Sequence, residues 1–499
     1  MTDQRSPSSA AEEARLTPTP ARRAGTRSRS RASVRAGAAL LSLGFLGYGG
    51  WALAQMNAAA QATPAKAATA LKGPQAMVTA APHNAPPELQ ANIGTDPVVR
   101  GAYLARAGDC VACHTAPGGK PFAGGLPMPT PLGTVYSTNI TPDATTGIGG
   151  YSFEDFDQAV RHGYAKGKGR LYPAMPFPSY ARISENDMRD LYAYFTQGVQ
   201  PVQLAVPDNG IPWPLSMRWP LGIWSALFAP NPAKVQATAD QAAPTADPLV
   251  RGAYLVDGLG HCGTCHTPRA TLTMQEKGLT GSDPLFLAGG AVLDGWQAKN
   301  LRGDDADGLG RWSAPDIAAL LKTGRNPHTA VFGGMRDVVD HSTQYLSDGD
   351  LNAIAAYLKS LSPAKPGGPA YRYDDATAQA LWRGDVRQPG AATYLDSCAA
   401  CHRSDGKGYG EVFPSLAGNS VVLTHDPHNV IAVILRGHQV PATRTRPSTF
   451  SMPSLAWRLS DQEVADVATF VRAGWGNQAP AVTAATVAEV RKTGEHESK

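Results

Sequence analysis

Cysteine and charge are both thin in this chain: six cysteines and 17% charged residues in 499. All six cysteines fall in pairs with two residues between them, so a disulfide between distant segments, possible outside the cytoplasm, would have to break up these pairs. A bridge inside such a pair closes too short a loop to staple a domain. A zinc ribbon is excluded as well, because it needs two such pairs within about 20 residues of each other, and these pairs start 152 and 136 residues apart. Positive charge is confined to the start. Residues 1–55 hold eight arginines against Asp3, Glu12 and Glu13, so the overall +4 leaves −1 for the rest of the chain. No clustered basic face remains for nucleic acid. What is plentiful is glycine (52) and proline (41), which predicts short helices in long irregular loops and no extended sheet.

The arginine-rich start precedes an uncharged apolar run, Ala36 to Ala54, ending in Ala52-Leu53-Ala54 before Gln55. This is the pattern of a secretory signal with a long n-region and an A-x-A cleavage site; an uncleaved N-terminal anchor is the alternative, since 19 apolar residues can just span a bilayer. Either way the bulk of the chain is expected outside the cytoplasm. An alanine-rich linker follows, and the chain then repeats itself.

"DPVVRGAYLARAGDCVACHT" begins at Asp96, "DPLVRGAYLVDGLGHCGTCHT" at Asp247 and a looser "GAATYLDSCAACHRSDG" at Gly390. Each copy also ends alike: "ISENDMRDLYAYF", "LSDGDLNAIAAYL" and "LSDQEVADVATFV" set Ser184/Asp187, Ser347/Asp350 and Ser460/Glu463 three apart, the capping-box spacing that opens a helix. Two helices cannot bury enough surface to hold a hundred-residue unit together, so something else must complete each core.

The cysteines identify it. Cys110/Cys113/His114, Cys262/Cys265/His266 and Cys398/Cys401/His402 all read C-x-x-C-H. A thioredoxin-like motif does not require a histidine directly after it three times. Thioether attachment of c-type haem does, with the histidine as proximal iron ligand. Three covalent haem c groups are therefore predicted, each a large flat apolar body. For the sixth ligand, Met452 is the only methionine after Cys401, and Met175 and Met335 stand at matching distances before the closing helices. Met128, Met188 and Met274 are rivals; the last two read as packing or solvent-facing. The remaining histidines, His83, His162, His261, His328, His341, His425, His428 and His438, read as surface or satisfied groups, with His261 the one beside a haem. Tyr103/Tyr194, Tyr254/Tyr357 and Tyr394/Phe470 are expected to pack where the two helices of each unit cross.

Between the first two units lies "IPWPLSMRWPLGIWSALFAP" (211–230), with Arg218 its only charge and Trp213, Trp219 and Trp224 along it. Three prolines forbid a straight spanning helix. Tryptophans on an apolar face suit the lipid headgroup region; a linker packed across two units is the other reading.

Over about residues 95–477 the sequence resembles the tri-haem cytochrome c subunits of membrane-bound periplasmic dehydrogenases of acetic acid bacteria and relatives, which serve alcohol, aldehyde, fructose, sorbitol and gluconate dehydrogenases. The resemblance rests on "GIGGYSFEDFDQAVRHG", "LYPAMPFPSY", "PWPLSMRWPL", "FGGMRDVVDHSTQYLSDGDLNAIAAYLKSL" and "FSMPSLAWRLSDQEVADVATFVRAGWGN". The chain departs from the family in its long arginine-rich start and at "DGWQAKNL" (294–301), where the family pattern runs aromatic-Ala-Pro-Asn. The resemblance implies a cytochrome c-like fold in each unit, Met175, Met335 and Met452 as sixth ligands, attachment to the periplasmic face of the inner membrane, and electron flow from a catalytic subunit (flavin, pyrroloquinoline quinone or molybdenum type, with a small third subunit in some complexes) to ubiquinone. A multi-haem peroxidase, a free-standing carrier and an oxidase subunit are the alternatives.

The expected architecture is mostly α: signal or anchor 1–54, linker 55–94, cytochrome c domain 95–200, Trp/Pro-rich linker 201–245, second domain 246–363, linker 364–384, third domain 385–478 and a polar tail 479–499.

Overall fold

The computed structural model describes residues 94–243 and 245–497; the leader and nearly all of the alanine-rich linker lie outside the described residues. The fold is mostly helical, and its sheet among the described residues amounts to four two-stranded antiparallel ladders. Two of the three opening helices are started by an aspartate cap and a proline in the first turn. Asp96 accepts from the Val98 amide to begin Pro97–Ala107, and Asp247 accepts from the Leu249 and Val250 amides to begin Pro248–Ala253. The third, Ala391–Ser397, starts instead from Gly390 at φ 83°.

The closing helices are Glu185–Ala193, Asp348–Ser360 and Asp461–Ala473, and in each the expected serine accepts from the amide three residues on. Only Ser460/Glu463 makes the reciprocal arm of the capping box. The carboxylates of Asp187 and Asp350 are instead taken by tyrosines of the neighbouring repeat, as described below.

A glycine lets opening and closing helices cross in every repeat. A Cβ on Gly101 would lie 1.9 Å from the Asp190 carbonyl oxygen, one on Gly252 2.1 Å from that of Ala353, and one on Gly390 2.3 Å from that of Asp466. The three carbonyls belong to equivalent positions, each six residues past the capping serine. The crossings expected of the tyrosines are shared with these glycines, for the same Cβ on Gly101 would lie 2.7 Å from Tyr194 Cβ and that on Gly252 2.6 Å from Tyr357 Cβ. Tyr394 and Phe470 do meet, with ring centroids 5.4 Å apart. Tyr103 and Tyr254 reach across to the other repeat.

The Tyr103 hydroxyl donates to Asp350 Oδ2 at 2.6 Å and accepts from the Ser347 amide at 3.1 Å. The Tyr254 hydroxyl donates to Asp187 Oδ2 at 2.6 Å and accepts from the Ser184 amide at 3.1 Å. Each opening helix thus completes the cap of the other repeat's closing helix. One continuous apolar core, from Tyr103 through Leu255 to Leu361, spans the first two repeats, while the third keeps a separate core built around Tyr394, Ile431, Phe470 and Trp475.

Two further helices, Phe153–Val160 and Ala314–Thr323, carry full capping boxes at Ser152/Asp155 and Ser313/Asp316. The stretch expected as a polar tail instead forms the helix Ala484–Glu497, because Val487 and Val490 give it an apolar stripe that buries in the third core beside Val482. Residues 364–384, expected as a linker, contribute the helix Ala376–Trp382, whose Ala378 and Leu381 bury in the same core. Among the described residues no helix is long and apolar enough to cross a membrane.

Candidate functional site

Each C-x-x-C-H motif winds into a single helical turn. The His114 amide donates to the Cys110 carbonyl at 3.0 Å, His266 to Cys262 at 3.0 Å and His402 to Cys398 at 2.9 Å, which closes one turn around each motif. No two of the six cysteines are joined in a disulfide. Burial pushes Cys110, Cys262 and Cys398 up to about 12. A redox-cycling C-x-x-C pair needs the opposite, a depressed thiol in an electropositive setting. A zinc site lacks its donors too: among the described residues no three His, Cys, Asp or Glu side chains converge.

The histidine rings are held alike. His114 Nδ1 lies 2.7 Å from the Thr138 carbonyl, His266 Nδ1 2.8 Å from that of Lys299, and His402 Nδ1 2.9 Å from that of Pro414. A carbonyl only accepts, so each ring carries its proton on Nδ1 and turns the Nε2 lone pair the other way. Burial lowers the pKa of all three, that of His266 to about 4. A neutral imidazole with Nδ1–H fixed by a backbone oxygen is the form that ligates a metal through Nε2.

The structure brings the methionines toward these motifs to different degrees. Met175 packs against the same core as Cys110, and Met452 against the same core as Cys398. Met335 is half-buried in the first turn of Gly334–His341, just after Gly333 at φ 56°. Among the rivals, Met188 is fully buried and packs the first core, Met274 is exposed, and Met128 sits on a small ladder against Tyr172 and Ile211. His261, expected beside a haem, lies between the first two motifs. Its Nε2 is 3.3 Å from the Gly108 carbonyl, and its ring stands edge-on to Tyr180, whose hydroxyl donates to that same carbonyl at 3.0 Å.

The donor set fits a haem: paired thiols for thioether bonds, a ring nitrogen aimed by its own backbone partner, and in the first and third repeats a methionine on the same core as the motif. When bound, the group supplies a one-electron iron couple whose potential the axial ligands tune. Three carbonyls, those of Thr138, Lys299 and Pro414, were not read from sequence, since a backbone oxygen leaves no residue-type signature. A partial signal exists in the asparagine that follows two of them. Asn139 and Asn300 each accept from the amide two residues on, tying the loop that presents the carbonyl.

A histidine so presented from C-x-x-C-H defines a c-type cytochrome, and residues 388–475 match the cytochrome c family. The relatives narrow the class. The chain is 56% identical over 400 residues to the gluconate 2-dehydrogenase cytochrome c subunit of Pantoea cypripedii, covering 79% of this chain and 89% of that one. It is 54% identical over 401 residues to the cytochrome c subunit of the quinone alcohol dehydrogenase of Gluconacetobacter polyoxogenes, covering 80% and 84%. It is 38% identical over 420 residues to the fructose dehydrogenase cytochrome subunit of Gluconobacter japonicus, covering 80% and 83%. The chain belongs to this family of dehydrogenase cytochrome c subunits, carries covalently bound haem c, and serves electron transfer alongside a catalytic dehydrogenase partner.

Proposed function

We propose that the chain is a three-haem relay: three tandem cytochrome c-like domains, with haem c bound through Cys110/Cys113, Cys262/Cys265 and Cys398/Cys401. The axial pairs are His114/Met175, His266/Met335 and His402/Met452. Electrons enter from a catalytic subunit of flavin, pyrroloquinoline quinone or molybdenum type and leave to ubiquinone at the periplasmic face of the inner membrane. The observation that carries this reading is the threefold repetition of one arrangement, an imidazole whose Nδ1–H is fixed by a backbone carbonyl directly after a C-x-x-C pair. Pyridine haemochrome analysis of the exported protein should return three haems per chain; two or one would refute the relay as stated.

Attachment to the membrane is supported by the stretch 211–230. The helix Trp219–Phe228 is almost wholly apolar, yet it buries none of its residues. Trp213, Trp219, Ile223 and Leu227 stand 78%, 66%, 55% and 68% exposed. Its one charge turns inward, as Arg218 donates to the Arg170 carbonyl at 2.7 Å and covers the Tyr172 ring. Trp224 fastens the helix to the protein, with its ring on Phe177 and its Nε1 donating to the Thr273 carbonyl at 2.7 Å. One side packs across the first two repeats and the other offers an apolar face of the kind that beds into the headgroup region. Replacing Trp213, Trp219 and Leu227 by serine should abolish co-flotation with phospholipid vesicles; unchanged flotation would refute this attachment.

A further inference from the structure

The junction between the second and third repeats contains an aromatic cluster to which no role has yet been given. Trp296 lies 5.3 Å from Phe332 and 6.1 Å from His438, centroid to centroid, and Phe332 and His438 lie 6.4 Å apart. The three rings are tilted or edge-on to one another, the arrangement in which aromatic groups pack without gaps. Each ring belongs to a segment that bears a candidate iron ligand or its support. Phe332 precedes Gly333, and a Cβ on that glycine would lie 2.4 Å from Trp296 Cγ, so the indole rests on the backbone two residues before Met335. His438 pairs directly with Met452 across an antiparallel ladder, and residues opposite each other in such a ladder project from the same face. Trp296 begins the four-residue run that ends at Lys299, whose carbonyl fixes His266.

The junction is also rigidly zipped. Asn429 accepts from the Gln297 amide and donates to the Gln297 carbonyl, both at 2.8 Å, and His428 Nε2 lies 2.9 Å from the Gly295 carbonyl. His438 Nε2, expected to be satisfied, is buried without a hydrogen-bond partner. Packing between Trp296 and Phe332 is what holds that end of the ring.

We propose that Trp296, Phe332 and His438 form the bridge through which the second and third haems exchange electrons. This rests on the three-haem reading above. One electron leaves the reduced site of the pair and arrives at the oxidised one; no bond is made, no proton moves and the rings themselves are not oxidised. Their part is to fill the gap between the Met335 and Met452 segments with rings in van der Waals contact and to hold those segments in register. An unfilled gap would interrupt that path, and interiors packed as densely as crystals leave none.

The test uses the full haem-loaded chain with Trp296→Leu, which removes the ring system, and Trp296→Phe, which keeps a ring. In partly reduced samples the paramagnetically shifted haem-methyl resonances report electron exchange haem by haem. Trp296→Leu should slow exchange between the second and third haems by roughly tenfold or more, about 1.4 kcal/mol on the barrier. It should leave exchange between the first and second unchanged, and Trp296→Phe should stay near the parent rate. Phe332→Leu offers the same readout if the tryptophan variant fails to fold. Unchanged exchange in the leucine variants, or equal slowing by Trp296→Leu and Trp296→Phe, would overturn the bridge. Fewer than three haems in the parent protein would instead overturn the relay itself, and haem counting separates the two failures.

Discussion

Removing one hydroxyl should loosen the first two repeats from each other. Tyr103 is buried, 3% exposed, and its hydroxyl both donates to Asp350 and accepts from the Ser347 amide. Tyr103→Phe deletes a hydrogen bond to a charged acceptor, about 1.5–3 kcal/mol. Asp350 stays paired, since Arg251 donates to both its oxygens at 2.8 and 2.9 Å, so no carboxylate is stranded. Ser347 is only half-buried, and water can reach part of what the phenol leaves behind. The expected loss is about 2–3 kcal/mol. The two cores predict two unfolding transitions in guanidinium, and the loss should fall on the one that reports repeats one and two. Tyr254→Phe should cost at least as much, because no arginine among the described residues holds the Asp187 carboxylate as Arg251 holds that of Asp350, and the double variant should lose close to the sum. Tyr394→Phe, whose hydroxyl donates to the Arg403 carbonyl inside the third repeat, should move only the other transition. A Tyr103→Phe loss below about 0.5 kcal/mol, the size of an ordinary surface change, would refute the interlock.

Met452→Leu should lower one of three midpoint potentials in a redox titration and leave two in place; three unmoved midpoints would remove Met452 as a ligand. Gly252→Ala drives a Cβ onto the Ala353 carbonyl and should cost about 3 kcal/mol or more by overpacking, read as a fall in melting temperature far larger than that of Gly150→Ala, where a Cβ meets open space. Burial lifts Asp257 to about 7, against the opposing pull of the Tyr357 hydroxyl and Arg182. The folded protein therefore holds a proton there that the unfolded chain releases near 4, and stability should decline as pH rises from about 4 to about 7. Asp257→Asn should flatten that slope in melting curves taken between pH 5 and 8.

The haem motifs, the repeat and the three closing helices were legible because each is written within a dozen residues. The capping boxes at Ser152 and Ser313 are equally local, written as "SFED" and "SAPD", but neither lies in the repeated segments that mark the other helix ends. The tyrosine interlock could not be read. Tyr103 meets Asp350 across 247 residues of chain, and nothing in "GAYL" distinguishes a ring that packs on its own closing helix from one that caps another. The glycine in the same tetrapeptide carried the nearer clue, for a helix-interior glycine costs stability unless something must come close. The terminal helix was hidden by its charges: "VAEVRKTGEHE" reads as polar, and only Val487 and Val490, one turn apart, betray a buried stripe.

The common interior of repeats one and two has a consequence for where this chain can be cut. A break near residue 364 leaves each piece its own apolar core but parts the Asn429–Gln297 pair and takes Trp296 from the edge of the third. A break near residue 230 leaves both fragments with a raw face, each missing the phenol that finishes a helix end. Two repeats here make one body, while the third is a separate interior fastened to it at a single seam.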